Sequence, residues 1–98
     1  AIFASNDAGA VVIHEALTSV GKRVPEDYSL VGFDDAQALP DRQGENMLTT
    51  VRVPLAAIGN RAAQLVIDRI TGVIEEDCTL VLPVELVVRR STAPPNFA

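Results

Sequence analysis

Two short stretches hold the side chains of this sequence best suited to chemistry. Asn6-Asp7 directly follows the apolar run Ala1-Ile2-Phe3-Ala4-Ser5, and Asp34-Asp35 directly follows Ser29-Leu30-Val31-Gly32-Phe33. Each pair sits at the end of what reads as a buried strand. In an open parallel sheet, ligands bind outside the carboxyl ends of the strands, where loops vary freely and helix N-termini point at the crevice, so Asn6 and Asp34 reach the same rim. A carboxylate accepts hydrogen bonds from two neighbouring hydroxyls, and an amide both donates and accepts, a pairing that suits a polyol or sugar better than an anion. Asn6 has a second reading as a plain helix cap, and Asp34 as a loop acid holding a turn. Asp7 reads first as a structural cap or first-turn acid and only secondarily as a ligand contact. Successive residues leaving a strand point to opposite sides, so Asp34 is placed ahead of Asp35 as the ligand-facing member, with Asp35 a secondary candidate.

Other chemistries find little support. Adjacent acids are poorly placed to flank one bond as general acid and base, and no nucleophile lies near them. His14, beside Glu15, has no second histidine or nearby cysteine at metal-ligand spacing and reads as a surface or subunit-interface residue, so neither a metal nor a cofactor is expected. Cys78 is the only cysteine, which excludes an internal disulfide, and it has no partner to activate its thiol. Ser5, Ser29 and Ser91 lack a Gly-x-Ser-x-Gly context, and there is no glycine-rich phosphate loop. An enzyme is not expected.

The elements that must position these residues follow from pattern. Asn6-Asp7 offers cap chemistry before a helix over residues 7–20, in which Val12, Ala16 and Val20 share one stripe with Ile13 and Leu17 beside it. Gly21 stops that helix, and Lys22 and Arg23 sit where its dipole favours cations. Leu30 to Phe33 reads as a strand apolar on both faces, as in a parallel sheet covered by helices. Residues 36–47, with Pro40, Gly44 and no period, read as a surface loop. "MLTTVRV" is a third strand, and Pro54 opens the next helix at its first position. There Leu55, Ile58, Ala62, Leu65, Val66 and Ile70 share a face, and Gly72 ends the run. In "LVLPVELVVRR" Pro83 breaks the strand or marks an edge, and beyond it Val84, Leu86 and Val88 alternate with Glu85 and Arg89. The tail "STAPPNFA" reads as irregular. The order strand, helix, strand, strand, helix, strand argues for an α/β fold around a parallel sheet.

Composition bounds the partners. The 98 residues fit one domain or a piece of one, and with no Trp, one Tyr and three Phe the core must be built from Val, Leu, Ile and Ala. A net charge of −5, with no basic cluster beyond Arg89-Arg90, argues against direct nucleic-acid contact by this stretch. No apolar run is long enough to span a membrane, and a reducing compartment fits the single cysteine. The chain opens at Ala1 without Met, directly in a strand-like run, which leads to the expectation of an upstream portion.

"AIFASND" before a helix, "RVPEDYSLVGFDD", "LTTVRVPLAAIGNRAAQLVIDRITG" and "LVLPVELVVRRSTAPP" together resemble, in order and spacing, the C-terminal part of the effector domain of LacI/GalR-family bacterial transcription regulators. The resemblance covers nearly the whole chain. It implies a partial periplasmic-binding-protein-like (type I) fold, mostly the C-terminal lobe, with residues 1–51 and 84–91 in that lobe and residues 54–72 carrying a helix of the N-terminal lobe. It further implies that Asn6 and Asp34 contact a sugar-like effector and that the helix over residues 8–20 takes part in a homodimer interface, making Val12, Ile13, His14 and Leu17 interface candidates. Operator DNA would be met only through an N-terminal helix-turn-helix head outside this sequence, in a cytoplasmic protein without membrane contact. The loop "AQALPDRQGENM" is more polar than in many relatives. Two rival readings are a periplasmic sugar-binding protein of a transporter, against which "LTTVR" and "ELVVRRSTAPP" stand, and a small α/β enzyme using Asp34 and Asp35.

Overall fold

A computed structural model describes residues 1–95, in the order β1 (Ile2–Phe3), α1 (Asp7–Ser19), β2 (Leu30–Val31), β3 (Thr50–Arg52), α2 (Leu55–Ile70) and β4 (Glu85–Val87). Residues 96–98, the end of the tail expected to be irregular, lie outside the described residues. The chain divides into two compact units, one holding the described residues of 1–53 and 85 onward, the other residues 54–84.

In the first unit β1 and β2 pair in parallel, Ile2 opposite Leu30 and Phe3 opposite Val31. Isolated parallel bridges, Val31 to Thr49 and Asp34 to Arg52, attach the β3 segment to β2. The β3 backbone carries this register in Gly32 N donating to Thr49 O at 2.9 Å and Asp34 N donating to Val51 O at 2.9 Å. β4 departs from the expected all-parallel arrangement. It runs antiparallel to β3, Thr50 opposite Val87 and Arg52 opposite Glu85. Its apolar alternation is as read, but Val84, Leu86 and Val88 are the exposed set.

α1 begins where the sequence says it should. Asn6 has an extended backbone (φ −159°) and its side chain accepts a hydrogen bond from Gly9 N at 2.7 Å, satisfying one of the first-turn amides. The helix ends at Ser19, and Gly21 takes a left-handed φ of 77° while Lys22 N turns back to Leu17 O at 2.9 Å. The stripe of Val12, Ala16 and Val20 faces solvent; the inward side carries Asp7 and Ala10, with Val11 and Ile13 packed on the core.

That core is small: Ala4, Ala10, Leu30, Leu39, Met47 and Leu48, with Ile2, Val11, Ile13 and Val24 against it. Leu30 and Leu48 are fully buried, each worth roughly 1.5–3 kcal/mol over exposure. Leu39 corrects the reading of residues 36–47 as a plain surface loop, since it is buried. The loop turns inward because Asn46 Oδ1 accepts from Leu39 N at 3.0 Å and from Leu48 N at 3.1 Å, closing it on itself.

The second unit is built on α2. Pro54 is its N-cap rather than its first helical residue, and no side chain caps that end. Thr71 closes the other end, its hydroxyl donating to Ile67 O at 2.9 Å, and Ile74 N reaches Asp68 O at 3.1 Å. Gln64 donates to Asp68 at 2.7 Å and Arg69 pairs with Asp77 at 3.0 Å. No residue of α2 is buried. Among the described residues no helix is long and apolar enough to cross a membrane.

Candidate effector site at the strand ends

The candidate site lies in the first unit, where β1 and β2 run out side by side. Ala4 N donates to Val31 O at 2.8 Å, and beyond the strands Asp7 N donates to Phe33 O at 3.0 Å. Asn6 immediately precedes one partner of that last bond, and Asp34 immediately follows the other. The two residues singled out by type and spacing therefore leave the sheet at the same level, beyond adjacent strands.

Asn6 is exposed, and capping α1 occupies its Oδ1 only. Its Nδ2 donates to nothing among the described residues. The cap and ligand readings thus use different atoms of one amide. Asp34 is half-buried, and its carboxylate accepts no hydrogen bond among the described residues, in contrast to the acids on either side of it in the fold. Its backbone N–H donates to Val51 O at 2.9 Å and its carbonyl accepts from Val53 N at 3.3 Å.

Asp34 and Asp35 have φ of 110° and 59°, the two positive values among non-glycine residues described. Asp tolerates the left-handed well that Asp35 occupies, but 110° lies outside it, at a cost on the order of 1–3 kcal/mol. Such backbone persists only where the surroundings over-determine it. The Asp35 side chain is held on both sides: its Oδ2 accepts from Arg52 Nε at 2.8 Å and its Oδ1 from Arg89 Nη1 at 3.0 Å. The hydrogen bond from Arg89, followed by that from Arg52, outweighs burial and holds the Asp35 carboxyl below the usual carboxylate range; the same contact raises Arg52. Arg52 also stands 3.8 Å from Glu85.

Asp7 serves the fold. It is buried, and its Oδ2 accepts from Ala36 N at 2.8 Å and Gln37 N at 3.2 Å while Oδ1 accepts from the Thr50 hydroxyl at 2.6 Å. It ties the start of α1 to the loop after Asp35 and to β3. Sequence reading assigned it a structural role but missed all three donors, because they lie 29 to 43 residues away. Ser91 was likewise passed over. It is fully buried, its hydroxyl donating to Leu30 O at 2.6 Å and accepting from Thr49 N at 2.8 Å.

Among the interface candidates, Val12 is 64% exposed, Ile13 packs on the core, and Leu17 is half-buried. His14 is half-buried and lines a groove of about 770 Å³ together with Thr18, Lys22, Met47 and Arg90. Neither Asn6 nor Asp34 borders that groove. Cys78 is exposed with a free thiol. Among the described residues no three His, Cys, Asp or Glu side chains are grouped to hold a metal ion.

Residues 1–92 match the family described as periplasmic binding protein-like domain. Over 91 residues the chain is 38% identical to the HTH-type transcriptional regulator CelR of Thermobifida fusca, and 36% identical to the HTH-type transcriptional repressor PurR of Pasteurella multocida. Each match takes in 93% of this chain, but the chain spans only 26% of that CelR and 27% of that PurR. Among solved structures, a CelR–cellobiose complex superimposes with a TM-score of 0.81 at 38% identity, covering 91% of this chain and 27% of that one. A LacI-family regulator from Enterococcus faecium with bound ribose gives 0.81 at 36% identity, covering 96% and 34%. The dimeric Lac repressor gives 0.83 at 30% identity, again covering 96% and 34%. With this family match, this fold and these neighbours, the chain belongs to the periplasmic binding protein-like domain family, and the proteins it is similar to there include LacI-family transcriptional regulators.

Proposed function

We propose that this chain is the effector-sensing part of a cytoplasmic transcription regulator, and that Asn6 and Asp34 hold hydroxyls of a sugar-like effector. The observation that carries this reading is the Asp34 carboxylate, which accepts no hydrogen bond among the described residues, at a strand end level with Asn6, while Asp7 and Asp35 are both engaged. A half-buried carboxylate with open acceptor sites suits a ligand that brings hydroxyl donors. The relatives with bound cellobiose and ribose support the ligand class.

In this reading residues 1–51 and 84–91 belong to the C-terminal lobe and the helix of residues 54–72 to the N-terminal lobe, an assignment supported by the division of the chain after Val53 and before Glu85. Sugar binding biases the arrangement of the two lobes, and a homodimer built partly on α1 relays the bias to helix-turn-helix heads elsewhere in the protein. The effector acts only through its difference in affinity for the two arrangements. The apolar exposure of Val12 supports the use of α1 as a contact face.

The test uses the full-length regulator. Operator binding is measured against cellobiose and ribose, in the unsubstituted protein and in Asp34→Asn. Loss of a charged hydrogen-bond acceptor predicts a sugar response weakened on the order of 10- to 100-fold, with sugar-free operator affinity unchanged. An Asp34→Asn protein that responds as before removes Asp34 from the site.

A further inference from the structure

We propose that Asp35 is the positioning residue of this site: clamped by Arg89 and Arg52, it fixes the positive-φ backbone of Asp34 and Asp35 and so sets where the Asp34 carboxylate stands, an inference that rests on the sugar-effector reading above. Each Asp35 oxygen accepts from an arginine, so both ends of its carboxylate are fixed within the fold. The clamp is itself anchored. Arg89 Nη1 also donates to Leu48 O at 2.9 Å, and Arg89 N donates to the Thr49 hydroxyl at 2.8 Å, so both its head group and its backbone are tied to the buried start of the β3 segment. Arg52 lies within β3, opposite Glu85 of β4. The Asp35 side chain is 13% exposed and that of Arg89 21%, so water competes weakly for this pair.

The geometry makes Asp35 and Asp34 one unit. Two consecutive residues with positive φ have no local reason to stay so, and Asp34 itself contributes only backbone bonds, to Val51 and from Val53. The side-chain grip on the pair comes through Asp35. Freed from the arginines, the peptide between them can relax toward ordinary loop backbone, and that rotates the Asp34 side chain away from the level of Asn6. Arg52 and Arg89 also neutralise Asp35, and Asp7 is taken up by three donors, so Asp34 is the acid at the strand ends whose carboxylate accepts no hydrogen bond among the described residues.

The experiment is a double-substitution cycle in the full-length regulator, with cellobiose and ribose as titrants and amide hydrogen exchange as a readout independent of sugar. Asp35→Asn is expected to weaken binding of whichever sugar the unsubstituted protein takes by about tenfold, and to add nothing in an Asp34→Asn background, because it acts through Asp34 alone. Exchange at the Asp34 and Val53 amides is expected to quicken by about tenfold, with Leu30 and Gly32 unchanged. Arg52→Gln, at the exposed side of the clamp, should shift both readouts in the same direction by less, and it serves if Asp35→Asn does not fold. Unchanged exchange at Asp34 and Val53, or additive losses in the cycle, overturns the proposal. If neither sugar binds the unsubstituted protein while exchange at those two amides still rises, the sugar reading fails and the positioning role stands.

Discussion

A Cβ placed on Gly32 would clash with Asp7 Oδ1, so the carboxylate that ties α1 to β3 occupies the volume a side chain at residue 32 would need. Leu48 Cδ2 at 2.9 Å and Asp7 Cα at 3.3 Å close the same space. The glycine of "GFDD" is thus required by packing. Gly32→Ala must displace Asp7 from its hydrogen bonds or push the strands apart, and overpacking of this kind costs about 1–3 kcal/mol before any lost hydrogen bond is added. Urea unfolding should show a loss at the upper end of that range. A change within about 0.5 kcal/mol, ordinary for a surface site, would show that the space is not filled as described.

Asp7→Ala removes the common acceptor of Ala36 N, Gln37 N and the Thr50 hydroxyl, all within 3.2 Å. Thr50 is fully buried, so its hydroxyl left unpaired costs about 1–3 kcal/mol, while the amides of the exposed residues Ala36 and Gln37 can turn to water at a smaller cost. Asp7→Asn keeps one acceptor oxygen and should cost less. Thermal unfolding of the two variants orders them, and a milder effect of alanine than of asparagine would contradict the three-donor arrangement.

Ser91→Ala tests a quieter link. Its hydroxyl joins Leu30 O to Thr49 N, beside backbone bonds from Leu30 N to Ser91 O at 2.9 Å and from Ser91 N to Met47 O at 2.7 Å. Loss of the hydroxyl leaves a buried N–H and a buried carbonyl each short of a partner, at about 1–3 kcal/mol. Denaturation midpoints should fall accordingly. Ser91→Thr keeps the hydroxyl but adds a methyl in a fully buried site, so it is expected to be destabilising through packing instead.

The parts of this fold legible in the sequence are those set by near neighbours. The Asn6 cap, Gly21 stop and Gly72 end are each decided within a turn of chain, and all read correctly to within a residue or two. The inward face of α1 was less legible. Val12, Ala16 and Val20 make as regular a stripe as Ala10 and Ile13, and only the position of β2 decides which side is covered. Leu39 looked like loop because Asn46, seven residues on, closes that loop inward. The direction of β4 and the arginine partners of Asp35 depend on pairings 17 to 54 residues apart, which no local pattern encodes. For the site, residue type at a strand end placed Asn6 and Asp34 together and side alternation set Asp34 apart from Asp35, yet nothing local showed that both aspartates have positive φ or that arginines hold Asp35.

The clamp has a pH signature. The arginines lower the folded-state carboxyl of Asp35 below its unfolded range, so the pair contributes stability above the unfolded carboxylate pKa of about 3.9 and loses it as pH falls through the lower folded value. The melting-temperature difference between the unsubstituted protein and Asp35→Asn should therefore be level from pH 7 to about 5 and shrink below about 4. A difference that grows as pH falls has the wrong sign for a depressed carboxylate and would place the cause elsewhere.

The last prediction concerns α2, whose apolar side finds no cover among the described residues. Leu55, Val66, Ile67 and Ile70 are 57%, 57%, 52% and 79% exposed, and no residue of the helix is buried. An exposed apolar surface of this kind marks a contact face. A polypeptide of these 98 residues alone is expected to associate as its concentration rises, and Val66→Glu with Ile70→Glu to shift its sedimentation toward monomer. In the full-length regulator, where the proposed assignment of α2 to the N-terminal lobe has this face covered by that lobe, the same two substitutions carry the opposite sign. Each places a charge where an apolar side chain is worth roughly 1.5–3 kcal/mol when buried, so the longer protein should lose stability while the isolated polypeptide gains solubility. If the full-length protein tolerates both glutamates without loss, α2 remains solvent-facing there too, and its assignment to the other lobe falls.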